Sequence, residues 1–90
     1  MAGRKALSPR DRARAAQLGK IVREARDRLE RTQEQVAQDA GVALSTLRRL
    51  EAGKTPEPGL FNAARIARAL KIELSALAEI DRPNESNPAR

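Results

Sequence analysis

The chain contains no cysteine, histidine, tryptophan or tyrosine, and Phe61 is its one aromatic residue. Without cysteine there is neither a disulfide nor a thiol nucleophile. Without histidine there is no imidazole acid or base, and the usual Cys/His metal sites cannot form. No paired carboxylates and no phosphate-cradling glycine loop stand out either. No residue is therefore a candidate for catalysis or metal binding, and neither a cofactor nor enzymatic activity is expected. Recognition of single strands by stacking is disfavoured as well, because Phe61, expected in the core, cannot make a stacking platform alone. No apolar run approaches the roughly 20 residues of a membrane span, and the first residues lack the apolar block of a secretory signal. A cytoplasmic, nucleoid-associated protein with no membrane contact is expected.

What the chain does have is alanine, leucine and arginine. The 90 residues suffice for one compact domain. A core of Ala, Leu, Ile and Val with almost no aromatics favours closely packed helices over sheets. The net charge is +6, and residues 1–32 hold ten Lys or Arg against four acids. The entire excess thus lies in the first third of the chain. Clustered positive charge of this kind can neutralise phosphates and release counterions, although an Arg-rich helix face bathed in solvent has the same composition.

The punctuation divides the chain into short helices. Residues 1–8 read as a flexible basic arm. Ser8-Pro9-Arg10-Asp11 is a helix start, and Leu18, Ile21, Val22, Ala25 and Leu29 then recur at helical spacing to about residue 29. Thr32-Gln33-Glu34-Gln35 is a capping box that opens a second helix burying Val36, Ala37 and Ala40, with Gly41 placed to end it. A third helix follows at about Leu44–Ala52, burying Leu47 and Leu50 and stopping at Gly53. The Pro56–Gly59 loop separates it from a fourth, about 59–70, with Ala63, Ile66, Ala67 and Leu70 inward. Leu74, Leu77 and Ile80 suggest a short fifth helix, and residues 81–90 read as a disordered tail.

The informative stretch is Gln33–Ala52, two short helices joined at a glycine. Ala37 must be small where the helices cross, and Gly41 must turn the chain with positive φ. With Leu47 and Leu50 beneath, the second of these helices turns Leu44, Ser45, Arg48 and Arg49 outward, as an element that fits the major groove does.

Leu18-Gly19, Arg26, Thr32-Gln33-Glu34-Gln35-Val36-Ala37, Gly41-Val42, Thr46-Leu47 and Leu50-Glu51-Ala52-Gly53 carry a resemblance to a known family. So do the later Ile66-Ala67-Arg68-Ala69-Leu70 and Leu74-Ser75-Ala76-Leu77. Over about residues 17–80 the chain resembles the phage repressor/Cro-type (xenobiotic-response-element-like) helix-turn-helix DNA-binding family. The resemblance implies an all-α, five-helix repressor-like domain over residues 9–80, with helices 2 and 3 forming the helix-turn-helix. It implies a regulator that represses as a homodimer on an inverted-repeat operator in double-stranded DNA. Carried over by position, Leu44, Ser45, Arg48 and Arg49 become base-reading candidates. Gln33, Thr46, Lys54 and Arg23 become phosphate-contacting candidates, and Arg26 and Glu51 a structural salt bridge.

Five departures from the family pattern stand out. Ala43 occupies the place of the usual hydroxyl N-cap, which costs the third helix roughly 1 kcal/mol. Glu30 and Lys71 stand where glycines are usual after the first and fourth helices. The loop at Pro56–Gly59 is about one residue longer than common, and Ala52 lacks the polar side chain that would grip the backbone. The competing reading is an antitoxin-like protein-interaction module, with a protein partner and a helix-turn-helix serving mainly dimerisation on a Leu74–Ile80 surface.

Overall fold

The computed structural model describes residues 8–55, 58–73 and 75–76. Four α-helices occur among them: α1 (Pro9–Leu29), α2 (Gln33–Ala40), α3 (Leu44–Glu51) and α4 (Leu60–Leu70). Local chemistry sets most of their ends. The Ser8 hydroxyl accepts the Asp11 amide at 3.0 Å, Pro9 sits in the first turn, and Asp11 faces the positive end of the helix dipole. Helix α1 runs unbroken to Glu30, which caps it in the left-handed region at φ 55°. The capping box of α2 is fully formed, with the Gln35 amide donating to Thr32 Oγ1 at 3.0 Å and the Thr32 amide donating to Gln35 Oε1 at 2.9 Å. Gly41, at φ 74°, reverses the chain and donates its amide to the carbonyls of Ala37 and Gln38.

Helix α1 packs on α3 and α4, and α2 packs on the same two helices. Leu47, Leu50, Ile66, Val22 and Val36 are the largest fully buried side chains where they meet. Leu29, Val42, Leu44 and Ile72 close the core from its margin. Burial of each large aliphatic contributes about 1.5–3 kcal/mol, so this cluster, and not the intrinsic preference of two eight-residue helices, holds α2 and α3 in shape.

The structure corrects the sequence expectations in several places. Phe61 is not in the core but 74 % exposed. It lies five residues before Ile66, about 140° around the helix from that buried side chain. The buried stripe of α4 includes Ala69 and leaves Ala63 half-buried. Helix α3 ends at Glu51 with Ala52 as its cap residue, and α4 starts at Leu60 behind Gly59. Four helices are described where five were expected. The fifth falls mostly outside the described residues, which show helical backbone at Ser75 and Ala76. The expected arm, apart from Ser8, and the expected tail also lie outside them.

Candidate nucleic-acid interface

The α2–turn–α3 unit presents one face of α3 to solvent. Leu47, Leu50 and Glu51 point inward and are buried. Ser45, Arg48 and Arg49 are exposed, while Leu44 and Thr46 are half-buried. Ser45 and Arg49, one helical turn apart, share a stripe. Leu44 packs against the core cluster and so shows solvent part of its surface. Arg49 makes no ion pair or hydrogen bond with its side chain among the described residues. Arg48 Nη2 lies 3.7 Å from Glu34 Oε2, with both side chains largely exposed, so the pair contributes little. The Lys54 side chain is exposed, and its amide donates to the Arg49 carbonyl at 3.1 Å, folding the chain over the end of α3.

Beneath that surface lies a buried polar hub. Glu51 is 3 % exposed. Arg26, on α1, meets it as a fork: Nε donates to Oε2 at 2.7 Å and Nη2 to Oε1 at 2.9 Å. Its remaining terminal nitrogen, Nη1, donates to the Arg31 carbonyl at 2.9 Å, tying in the α1–α2 turn. Gln33 Nε2, at the first residue of α2, donates to Glu51 Oε1 at 3.0 Å. The hydrogen bonds to Glu51 raise the Arg26 pKa above its ordinary value, against the opposing effect of burial. Arg26 therefore stays charged, and one carboxylate on α3 is held by α1 and α2 together.

Of the residues expected at the interface, the structure brings Gln33, Arg26 and Glu51 into one network and places Arg23 beside it. Arg23 Nη1 donates to the backbone carbonyl of Glu51. Leu44, Ser45, Arg48 and Arg49 lie along α3, with Thr46 on the same helix and Lys54 just beyond its end.

Gly19 belongs to the site too, and sequence reasoning gave it no structural role. A Cβ there would come within 2.7 Å of the Leu50 carbonyl oxygen and 2.9 Å of that of Glu51. The available signal was a glycine inside an Ala-rich helix, which costs about 1 kcal/mol unless close packing compensates.

Among the described residues no helix is long and apolar enough to cross a membrane, and no group of three or more acidic, His or Cys side chains could hold a metal.

A short, uncapped helix locked from behind by a second helix and an inter-helix carboxylate, with arginines on its open face, defines a helix-turn-helix DNA-binding domain. The comparison with protein families agrees: a helix-turn-helix model matches residues 22–77, from the middle of α1 past the end of α4. The chain belongs to the Cro/C1-type helix-turn-helix family, whose members are DNA-binding regulators and not enzymes. A search of curated proteins returned no match.

Proposed function

We propose that this protein is a sequence-specific regulator of transcription that represses as a homodimer on an inverted-repeat operator. The observation that carries the proposal is the division of α3 into a buried face of Leu47, Leu50 and Glu51 and an open face bearing Ser45, Arg48 and Arg49. A helix presented this way fits the major groove, where an arginine bonding O6 and N7 of guanine discriminates by about 1–3 kcal/mol.

Arg49, whose side chain has no partner among the described residues, takes that role, and Ser45 reads the neighbouring position. Leu44 offers its open edge to a thymine methyl, and Arg48, one helical step away, reaches a base edge or the neighbouring phosphate. Gln33, Thr46 and Lys54 bond phosphates and set the register. The domain spans residues 9–80, with residues 1–8 as a basic arm and 81–90 as a tail. Two protomers joined around Leu74–Ile80 would set two recognition helices about 34 Å apart, one turn of duplex. The setting is cytoplasmic, at the nucleoid.

Selection of bound sequences from random duplexes tests this, with wild type beside Arg49→Ala and Arg48→Ala. The expected motif is palindromic. Arg49→Ala flattens one position in each half-site, whereas Arg48→Ala weakens binding more evenly. An unrepeated half-site with one protomer per duplex refutes the dimer. A motif unchanged by Arg49→Ala refutes the base-reading role.

One observation favours a second reading, the antitoxin-like interaction module. Leu60 is 68 % and Phe61 74 % exposed at the start of α4. Phe61 and Ala64 border a groove of about 500 Å³ between α2 and α4, rimmed by Arg65, Arg68 and Asp39. That module would bind duplexes without sequence preference and would co-purify with a protein partner.

A further inference from the structure

The last four carbonyls of any helix lack partners within it and must find them elsewhere. In α3 three are met by the chain that follows: Ala52 N–H bonds the Arg48 carbonyl at 3.0 Å, Lys54 N–H that of Arg49 at 3.1 Å, and Gly53 N–H that of Leu50 at 3.1 Å. The fourth, on Glu51, receives no backbone donor among the described residues. Its donor is Arg23 Nη1, reaching across from α1. A guanidinium at this place also lies at the negative end of the α3 dipole.

Gly19, Arg23 and Arg26 stand four and three residues apart, so they form one stripe of α1. Each meets the same end of α3: Gly19 through its missing Cβ, Arg23 through the Glu51 carbonyl, and Arg26 through the Glu51 carboxylate. The backbone end and the side-chain end of Glu51 are thus both tied to α1. Arg49 is two residues earlier on the same helix, so the angle of this seat sets the angle at which Arg49 leaves the surface.

We infer that Arg23 is a positioning residue for DNA recognition, clamping the C-terminal end of α3 to α1, and not one of the charges that neutralise phosphate. The inference rests on the DNA-binding reading above, and two separate measurements test it. The first uses the free protein. Arg23→Met keeps the aliphatic stem of an exposed residue and removes its donors, whereas Arg23→Lys keeps a cation within reach of the carbonyl. Amide hydrogen exchange at Ala52, Gly53 and Lys54 should quicken in Arg23→Met and return toward wild type in Arg23→Lys.

The second measurement is the salt dependence of affinity for the selected duplex, with Lys54→Met as the phosphate-contact reference. A lost phosphate contact lowers the slope of log K against log salt by about 0.9 per protomer. Arg23→Met should weaken binding about tenfold, the scale of one charge-assisted hydrogen bond, while leaving that slope unchanged and blurring the base preference opposite Arg49. Arg23→Lys should restore both affinity and preference. A slope reduced like that of Lys54→Met, with the motif intact, overturns the inference, as does wild-type affinity in Arg23→Met. If the wild-type protein selects no duplex, the DNA reading fails by itself. Exchange rates then decide the clamp, and unchanged protection in Arg23→Met refutes it.

Discussion

Replacing Arg26 or Glu51 singly with alanine, and then both together, probes the hub under the recognition helix. The two single losses are expected to differ. Glu51 is 3 % exposed, so Arg26→Ala strands a carboxylate that cannot reach water and keeps one donor, Gln33 Nε2. Breaking a fully buried pair from one side costs about 3–5 kcal/mol. The Arg26 side chain is 18 % exposed, which places Arg26→Ala near the lower end, at about 3 kcal/mol. Glu51→Ala frees a long side chain already at the margin, which can swing into solvent, for a loss of about 2 kcal/mol.

The double variant strands no charge. It should lose about 2 kcal/mol against about 5 kcal/mol for the two singles added, giving a coupling of about 3 kcal/mol. A 90-residue chain has roughly 5–13 kcal/mol in total, so each single change is a visible fraction. With no tryptophan or tyrosine present, the assay is urea unfolding followed by far-ultraviolet circular dichroism, reading midpoint and slope together. The coupling should survive moderate salt, because a buried pair is screened weakly. Additive losses, or a larger loss for Glu51→Ala than for Arg26→Ala, would refute the reasoning.

Other substitutions test the local chemistry. Ala43 caps α3 without a side-chain hydrogen bond, so Ala43→Ser should add about 1 kcal/mol and raise the melting temperature by roughly 4–8 °C. A fall in melting temperature would mean that the turn cannot accept the hydroxyl. Lys71 is left-handed at φ 59°, and Lys71→Gly should gain about 1 kcal/mol in the same melt, since glycine lacks the Cβ penalty there. Gly19→Ala should lose about 2 kcal/mol despite better helix propensity, because the new Cβ meets the backbone of α3. A stable Gly19→Ala protein with unchanged DNA affinity would show that the seat yields easily.

Much of this architecture was legible because it is written in local chemistry. Ser8 and Pro9, the Thr32–Gln35 box and Gly41 each act within a few residues, and the helices they bound lie where such signals put them. Leu47 and Leu50 were readable for the same reason, through helical period alone. Phe61 was misread because hydrophobicity says that a side chain gains from burial, whereas the direction it points depends on which stripe of α4 meets α2. Gly19 and Arg23 were under-read for a related reason. Their meaning lies in the carbonyls of Leu50 and Glu51, about thirty residues along the chain, and no periodicity in α1 announces an oxygen on α3. The Arg26–Glu51 contact is equally long-range, yet it was expected, because family position supplied what local pattern could not.

Helix α3 is an element whose shape is imposed from outside. Eight residues are too few to hold a helix in water, and the N-cap of α3, Ala43, has no side-chain oxygen to accept an amide of the first turn. Its first turn has no side-chain cap hydrogen bond, while its last turn is tied through every carbonyl and through the Glu51 carboxylate. Stability is therefore concentrated at the C-terminal end, next to Arg49, and is lowest at the N-terminal end, next to Leu44 and Ser45. Arg49 should be presented at a nearly fixed angle, while Ser45 keeps more freedom of position. Hydrogen exchange along α3 should show that gradient, with amides at Leu47 and Leu50 opening only with the core and those at Leu44 to Thr46 opening locally. Ala43→Ser should raise protection at the first turn alone and so flatten the gradient. Uniform protection along α3 would mean that the helix opens as one body, and that the clamp at Glu51 confers no more order on its own end than on the other.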